Sequence, residues 1–180
     1  MKKSILSIIV FVVVLVFSSE ANAQKFPGLD KSPMDAASYP SSYRESDKKV
    51  KIIYSRPQLK SRSLSKLAPV GKVWRTGANE AAEITFYEDL TFGGKEVKAG
   101  TYTFFTIPGE KEWTIILSTA KNVWGSYFYQ ESEDVVRVTG TVSKSKKNLE
   151  AFSIVFDGED ENFNMYLGWG RTIVTIPVKG

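Results

Sequence analysis

The sequence has 180 residues, with 24 Lys and Arg, 20 Asp and Glu, and neither cysteine nor histidine. Without these last two residue types, a Ser-His-Asp triad, a thiol nucleophile, disulfide bonds and zinc or haem sites of the usual ligand types are all excluded. Residues 1–23 hold two lysines and one glutamate, so the rest of the chain has a net charge of +3. That charge is too small to indicate nucleic acid binding.

Residues 1–23 have the order of features found in a secretory signal peptide. Two lysines precede an apolar run at residues 5–17, and small residues follow it, ending in Ala23. The apolar run is shorter than the roughly 20 residues of a membrane-spanning helix. We therefore predict cleavage after Ala23, a periplasmic or secreted protein, and no stable membrane anchor once the segment is removed.

Residues 24–45 are predicted to form a lead-in with one short helical turn. Ser32 suits a helix N-cap, Pro33 the first helical position and Asp35 the first turn. Pro40 ends that turn, because the residue before a proline avoids helical geometry.

From residue 48 onward apolar and polar residues alternate, as they do in half-buried strands. The clearest runs are residues 50–54, 82–86, 113–117, 136–142, 152–156, 163–169 and 172–178. A Gly-Gly pair at residues 93–94 is typical of a hairpin turn, and residues 144–148 and 158–162 are polar connections. We predict one all-β domain over residues 46–180, an antiparallel β-sandwich or flattened barrel of about eight to ten strands.

Several short motifs in this region occur together in one known family. They are residues 32–35, 54–57, 71–80, 100–108, 112–116, 124–125 and 134–138. In these motifs the chain resembles an uncharacterised family of exported bacterial proteins, domain of unknown function (DUF) 2911, most specifically in Trp-Arg-Thr-Gly-Ala-Asn-Glu at residues 74–80. Residues 60–62 read Lys-Ser-Arg where such proteins tend to have Lys-Gly-Arg. Because the family has no established activity or ligand, the resemblance bears on the fold alone.

The side chains of residues 74–80 are those of a recognition loop. Tryptophan offers a flat face, arginine a planar fork of donors, and asparagine and glutamate supply complementary donors and acceptors. We predict a polar cleft for a small polar molecule, a carbohydrate or a peptide, formed by Arg56, Trp74, Arg75, Thr76, Asn79, Glu80 and Trp124. A structural interpretation stays open, in which an Arg75–Glu80 pair and Asn79 lock a long loop over the edge of the sheet.

The aromatic run at residues 124–129 allows two further interpretations. Exposed rings would stack on the apolar face of a sugar, whereas buried rings would close an open end of the sandwich or an interface with a second copy of the chain. The position of Trp124 decides between them, because a ligand cleft requires Trp74 and Trp124 to lie within reach of one another.

A binding or structural module without cofactor or metal is the function that we favour over an enzyme. The alternative is a hydrolase-like enzyme in which Glu80 acts as acid or base and Arg75 holds an anionic substrate. The acidic run at residues 157–162 lacks the spacing of a calcium loop. It is predicted to be a solvated turn, as is the basic run at residues 144–148, at the opposite end of the sheet.

Overall fold

The computed structural model describes residues 24–180, so the predicted export segment, residues 1–23, lies outside the described residues. Nine strands make up most of the structure. They are β1 (Met34–Tyr39), β2 (Val50–Ser55), β3 (Ala82–Phe86), β4 (Leu90–Phe92), β5 (Lys95–Val97), β6 (Gly100–Ile107), β7 (Glu112–Ser118), β8 (Asp134–Glu159) and β9 (Asn162–Lys179). Between them lie one short helix, α1 (Leu64–Leu67), and a 3-10 helix, Glu131–Glu133.

All strands belong to one antiparallel sheet with the order β1-β2-β3-β6-β7-β8-β9-β4-β5. The prediction of a single all-β antiparallel domain is therefore confirmed, and the sheet is not closed into a barrel. The predicted hairpin between β4 and β5 is also present. Both of its turn residues, Gly93 and Gly94, have positive φ angles of 57° and 83°, which a two-residue turn of this kind requires and which glycine adopts without strain.

The helical turn predicted near Ser32 is wrong, because the segment that follows is an extended strand. Residues Met34 to Tyr39 pair one by one with β2, from Met34 opposite Ser55 to Tyr39 opposite Val50. Backbone pairing along a whole strand outweighs the local capping signals on which the prediction depended. The sheet consequently begins at Met34, inside the segment predicted as a lead-in.

β8 and β9 form one long hairpin in which the sheet bends. The predicted strands 136–142 and 152–156 are two halves of β8, and its ladder with β9 shifts register on both sides of Leu149. Leu149 stands opposite Gly170, whose φ is 60°. The turn predicted at residues 144–148 is therefore wrong, because these residues lie within β8. The turn predicted at residues 158–162 is present but shorter, because only residues 160–161 lie between β8 and β9.

The sheet curls around one main apolar core. In β2, Val50, Ile52 and Tyr54 are buried, as the predicted alternation requires. The curl brings β2 against the second half of β8, because the hydroxyl of Tyr54 accepts a hydrogen bond of 2.9 Å from the Ile154 amide of β8. Both strands contribute buried residues to the same core.

The Lys60–Ser61 turn keeps left-handed geometry at the position where the related proteins tend to have glycine. Lys60 and Ser61 have φ angles of 47° and 63°. The turn is anchored by the Lys60 amide, which donates to the Glu150 carboxylate at 2.7 Å. The glycine is therefore not needed for the turn to form here, although left-handed geometry costs a non-glycine residue about 1–2 kcal/mol.

Candidate functional site

Two loops cover the outer face of β6 and β7. Phe105 and Ile116 point away from the main core and are nevertheless buried, in a second, smaller apolar cluster. Their cover consists of apolar side chains from the first loop, residues 73–81, and from the second loop, residues 119–133. A strand that is apolar on both faces needs a layer on each side, and here the two loops supply the outer layer.

The first loop is fastened to the edge of β6 by backbone and side-chain bonds. The amide groups of Trp74 and Thr106 donate to each other's carbonyl groups, at 2.7 and 3.0 Å. The buried Thr76 hydroxyl donates to the Thr106 hydroxyl at 3.1 Å. A Cβ at Gly77 would lie 3.1 Å from the Ser55 carbonyl oxygen, so glycine at this position allows the loop to approach the backbone at the end of β2.

Trp74 belongs to the main core and has only 6% of its surface exposed. Its ring stacks on Trp169, with centroids 5.5 Å apart, and meets Trp113 and Phe152 edge-on. The ring therefore packs against the protein and offers no open face to a ligand.

Arg56 and Thr76, two further members of the predicted cleft, also make internal contacts. The Arg56 guanidinium contacts the Asp35 carboxylate at 3.0 Å and donates to the Phe152 carbonyl and the Ser153 hydroxyl at 3.1 and 2.8 Å. Arg56 thus ties β1 and the end of β2 to the second half of β8, and Thr76 is fully buried.

The other four members of the predicted cleft are brought together where the two loops meet. Glu80 and Trp124 pair in an isolated antiparallel bridge. The Asn79 carbonyl accepts from the Gly125 amide at 2.9 Å and from Arg75 Nη1 at 3.1 Å. Among residues 24–180 no ion pair joins Arg75 to Glu80, so the loop is locked by the Asn79 backbone instead.

Three aromatic rings of the second loop are exposed beside this junction. The exposed fractions are 55% for Trp124, 72% for Tyr127 and 79% for Phe128. The Arg75 guanidinium carbon lies 5.5 Å from the centroid of Tyr127, and a Cβ at Gly125 would lie 2.7 Å from the same ring. The sequence analysis considered the whole aromatic run at residues 124–129 but placed only Trp124 in the predicted cleft, and the run itself is the signal for Tyr127 and Phe128.

Beneath these rings a polar network holds the end of the second loop. The Tyr129 ring packs edge-on against Phe105, with centroids 5.4 Å apart. Its hydroxyl donates to Asp134 Oδ2 at 2.6 Å and accepts from Arg137 Nη2 at 2.9 Å. Arg137 also pairs with the exposed Glu131 at 2.8 Å.

Asp134 is the most deeply buried carboxylate of this network, with 7% of its side chain exposed. Arg137 Nε lies 2.8 Å from its Oδ2 in an ion pair without hydrogen-bond alignment, and its Oδ1 has no donor among the described residues. Burial, the hydrogen bond to Asp134 and the charge of that carboxylate together raise the pKa of Tyr129 to about 12 from its ordinary value of 10.0.

This pKa predicts how stability depends on alkaline pH. The unfolded tyrosine loses its proton near pH 10, whereas the folded Tyr129 keeps it until about pH 12. The folded state therefore binds more protons than the unfolded state in this interval. The contribution of Tyr129 to the free energy of unfolding is fully present below pH 10 and is lost as the pH rises through 12. We expect the free energy of unfolding of Tyr129→Phe to fall less steeply than that of the wild type over this interval. Urea unfolding at pH 8, 10, 11 and 12 measures both slopes, and parallel slopes would contradict the assignment.

The acidic turn between β8 and β9 has no metal-site geometry. Among residues 24–180 no group of three or more carboxylates is arranged to hold a metal ion. Within the same residues none of the helices has the length and hydropathy of a membrane span.

The fold and the loop junction define an all-β domain of one curled antiparallel sheet with an aromatic, arginine-containing surface on its outer face. The chain belongs to the family described as protein of unknown function DUF2911, whose model matches residues 32–178. The predicted resemblance is thereby confirmed. No curated protein and no solved structure is similar enough to the chain to count as a match.

Proposed function

We propose that this protein is an exported carbohydrate-binding module whose site is the junction of the two loops. The observation that carries the proposal is the group of three exposed rings, Trp124, Tyr127 and Phe128, on a loop that is otherwise well anchored. Exposed aromatic rings lose apolar surface to water when they are covered, and tryptophan and tyrosine are enriched in binding surfaces for this reason.

The junction also carries the polar groups that sugar hydroxyls require. Of the five N–H donors of arginine, Arg75 uses one for the Asn79 carbonyl and one for the Tyr127 hydroxyl, which leaves three for a ligand. Glu80 is exposed beside Trp124 and adds a carboxylate that accepts hydrogen bonds. The Arg75 guanidinium donates and the Glu80 carboxylate accepts hydrogen bonds beside the aromatic rings. This arrangement is complementary to a sugar ring, which has an apolar face and hydroxyl groups at its edge.

The rings are held in place before any ligand arrives. The Ser126 hydroxyl donates to the Val73 carbonyl at 2.9 Å, and the Gly125 and Ala81 amides join the two loops by further bonds of 2.9 and 3.0 Å. A surface that is already ordered loses little conformational entropy on binding. This supports a binding role over a loop whose aromatic residues merely fill space.

A peptide ligand and catalysis by Glu80 have less support. Extended peptides bind in grooves or along free strand edges, whereas the exposed rings stand on a loop above the face of the sheet. A carboxylate that works as an acid near neutral pH needs burial or a neighbouring charge to tune it, and Glu80 is exposed and forms no ion pair among residues 24–180. Support for export comes from the charge, apolar run and small residues of residues 1–23.

The proposal is tested by titrating cellohexaose, chitohexaose, maltohexaose and laminarihexaose into the protein. Of its four tryptophans, Trp74, Trp113 and Trp169 are buried, so a fluorescence change on binding reports Trp124. We expect Trp124→Ala and Tyr127→Ala each to weaken binding about five- to tenfold, the loss of one stacked ring. Isothermal titration calorimetry measures the affinities of the variants, because Trp124→Ala removes the fluorescent reporter.

Tyr87→Ala is the matched control. Tyr87 is 55% exposed, as Trp124 is, but it lies directly after the end of β3 and outside the two loops. It should leave both binding and urea stability unchanged. Absence of binding for all four sugars at millimolar concentration would overturn the proposal. So would light scattering that shows a dimer dissociated by Trp124→Ala, because the rings would then form a subunit interface.

A further inference from the structure

A groove that shares no lining residue with the aromatic loop lies between α1, the β6–β7 turn and the bend of β8 and β9. It has a volume of about 380 Å³. Its apolar walls come from Leu64, Ala68, Val70, Pro108, Trp113 and Val142. Trp113 also packs in the main core with 3% exposure, while Val70 at the rim is 57% exposed, so the groove has a fixed floor and an open side.

Five cationic residues lie within two positions of a residue that lines this groove: Lys66, Lys72, Lys111, Lys144 and Arg171. The strand register places two of them on the face of the groove, Lys144 and Lys111, because the Lys111 carbonyl accepts the Val142 amide at 2.9 Å and Lys111 therefore stands opposite Val142. Among residues 24–180 none of the five has a carboxylate oxygen within 4.0 Å. The lining itself contains one carboxylate, the exposed Glu110. The balance of charge at the rim is therefore positive.

Lys144 is placed best to meet a bound head group. It follows Val142 by two residues on β8 and therefore lies on the same face of the strand. It also stands directly opposite Thr172 of β9, which lines the groove, and directly paired residues share a face. The apolar wall at Val142 thus continues into a cationic rim at Lys144.

We propose that this groove binds a free anionic amphiphile, with an alkyl chain along Leu64, Val70 and Val142 and a carboxylate or phosphate head at the lysine rim. The ligand needs an alkyl chain because the groove has an apolar lining, which a bare anion would leave exposed to water. The unpaired cations explain why the head is negative, and their exposure makes the contact sensitive to salt. This site is separate from the proposed carbohydrate surface and does not depend on it.

The probe is sodium laurate below its critical micelle concentration, titrated calorimetrically into the protein. Dodecyltrimethylammonium has the same chain with the opposite charge, and butyrate has the same head with a short chain. We expect laurate to bind at least tenfold more tightly than either control compound. Equal binding of laurate and dodecyltrimethylammonium would overturn the role of the cations.

Matched variants locate the site. Lys111→Glu with Lys144→Glu should weaken laurate binding at least tenfold, whereas Lys25→Glu with Lys95→Glu, the same change in net charge elsewhere, should not. Val70→Asp should likewise weaken binding, and Val135→Asp, at a valine 48% exposed on β8, should not. Equal losses within either pair would overturn the proposal.

Vesicles distinguish a free amphiphile from a membrane lipid, which offers the same head chemistry. We expect laurate to bind while vesicles of phosphatidylglycerol sediment no more protein than vesicles of phosphatidylcholine. Sedimentation with phosphatidylglycerol together with an absence of laurate binding would overturn the groove, because a surface charge effect would then account for the interaction.

Discussion

Trp74→Ala is expected to lower the free energy of unfolding by about 3–5 kcal/mol, the usual cost of removing a large aromatic side chain from a core. Trp74 is 6% exposed and contacts the rings of Trp169, Trp113 and Phe152. Its loss would leave a cavity among these rings, which the paired backbone of β6 cannot move to fill. Urea unfolding at pH 7, followed by fluorescence and circular dichroism, measures the change.

Trp124→Ala is the control for this experiment, since it deletes the same side chain from a position that is 55% exposed. We expect it to change stability by less than about 1 kcal/mol. If Trp74→Ala does not fold, Trp74→Phe should show a smaller loss in the same direction. Equal stability of Trp74→Ala and Trp124→Ala would contradict the assignment of Trp74 to the core and of Trp124 to the surface.

Arg137→Met is expected to destabilise the protein by about 2 kcal/mol, because it leaves a buried carboxylate short of a partner. The cost is smaller than for a fully buried ion pair, since 35% of the Arg137 side chain is exposed. The reason is Asp134, whose side chain is 7% exposed and lies 2.8 Å from Arg137 Nε. Without the guanidinium, a buried carboxylate keeps only the hydroxyl of Tyr129 as a partner. Urea unfolding of the variant and the wild type at pH 7 gives the difference directly.

Two further variants separate the cost of the unpaired charge from the loss of packing. Glu131→Gln removes the exposed partner of Arg137 and should cost less than about 1 kcal/mol. Asp134→Asn in the Arg137→Met background should recover part of the loss, because no buried charge then remains. A double variant less stable than Arg137→Met alone would contradict this explanation.

The strands could be predicted because burial of one sheet face imposes an alternation that the sequence displays directly. Residues 82–86 and 163–169 are clear cases. The alternation is interrupted by the polar run at residues 144–148, which has the composition of a connection, and so the halves of β8 are predicted as separate strands. The strand Met34–Tyr39 is not predicted because its central residues, Asp-Ala-Ala-Ser, are small and weakly patterned, and its strand structure depends on pairing with β2.

The site could be predicted only in part. Arg75, Asn79, Glu80 and Trp124 do meet where the two loops join. Trp74 is next to Arg75 in sequence but faces the core, and nothing local distinguishes a buried tryptophan from an exposed one. Its burial depends on Trp169, which is far along the chain, so a single motif could not have shown it.

The place of β9 in the sheet has a consequence for how the chain folds. Val178 and Lys179 of β9 pair with Phe92 and Thr91 of β4, whereas residues 162–175 of β9 pair with β8. The β4–β5 hairpin consequently gains its neighbour in the sheet from a strand that lies far along the chain. Ladders between such distant segments place this domain among the slower-folding topologies.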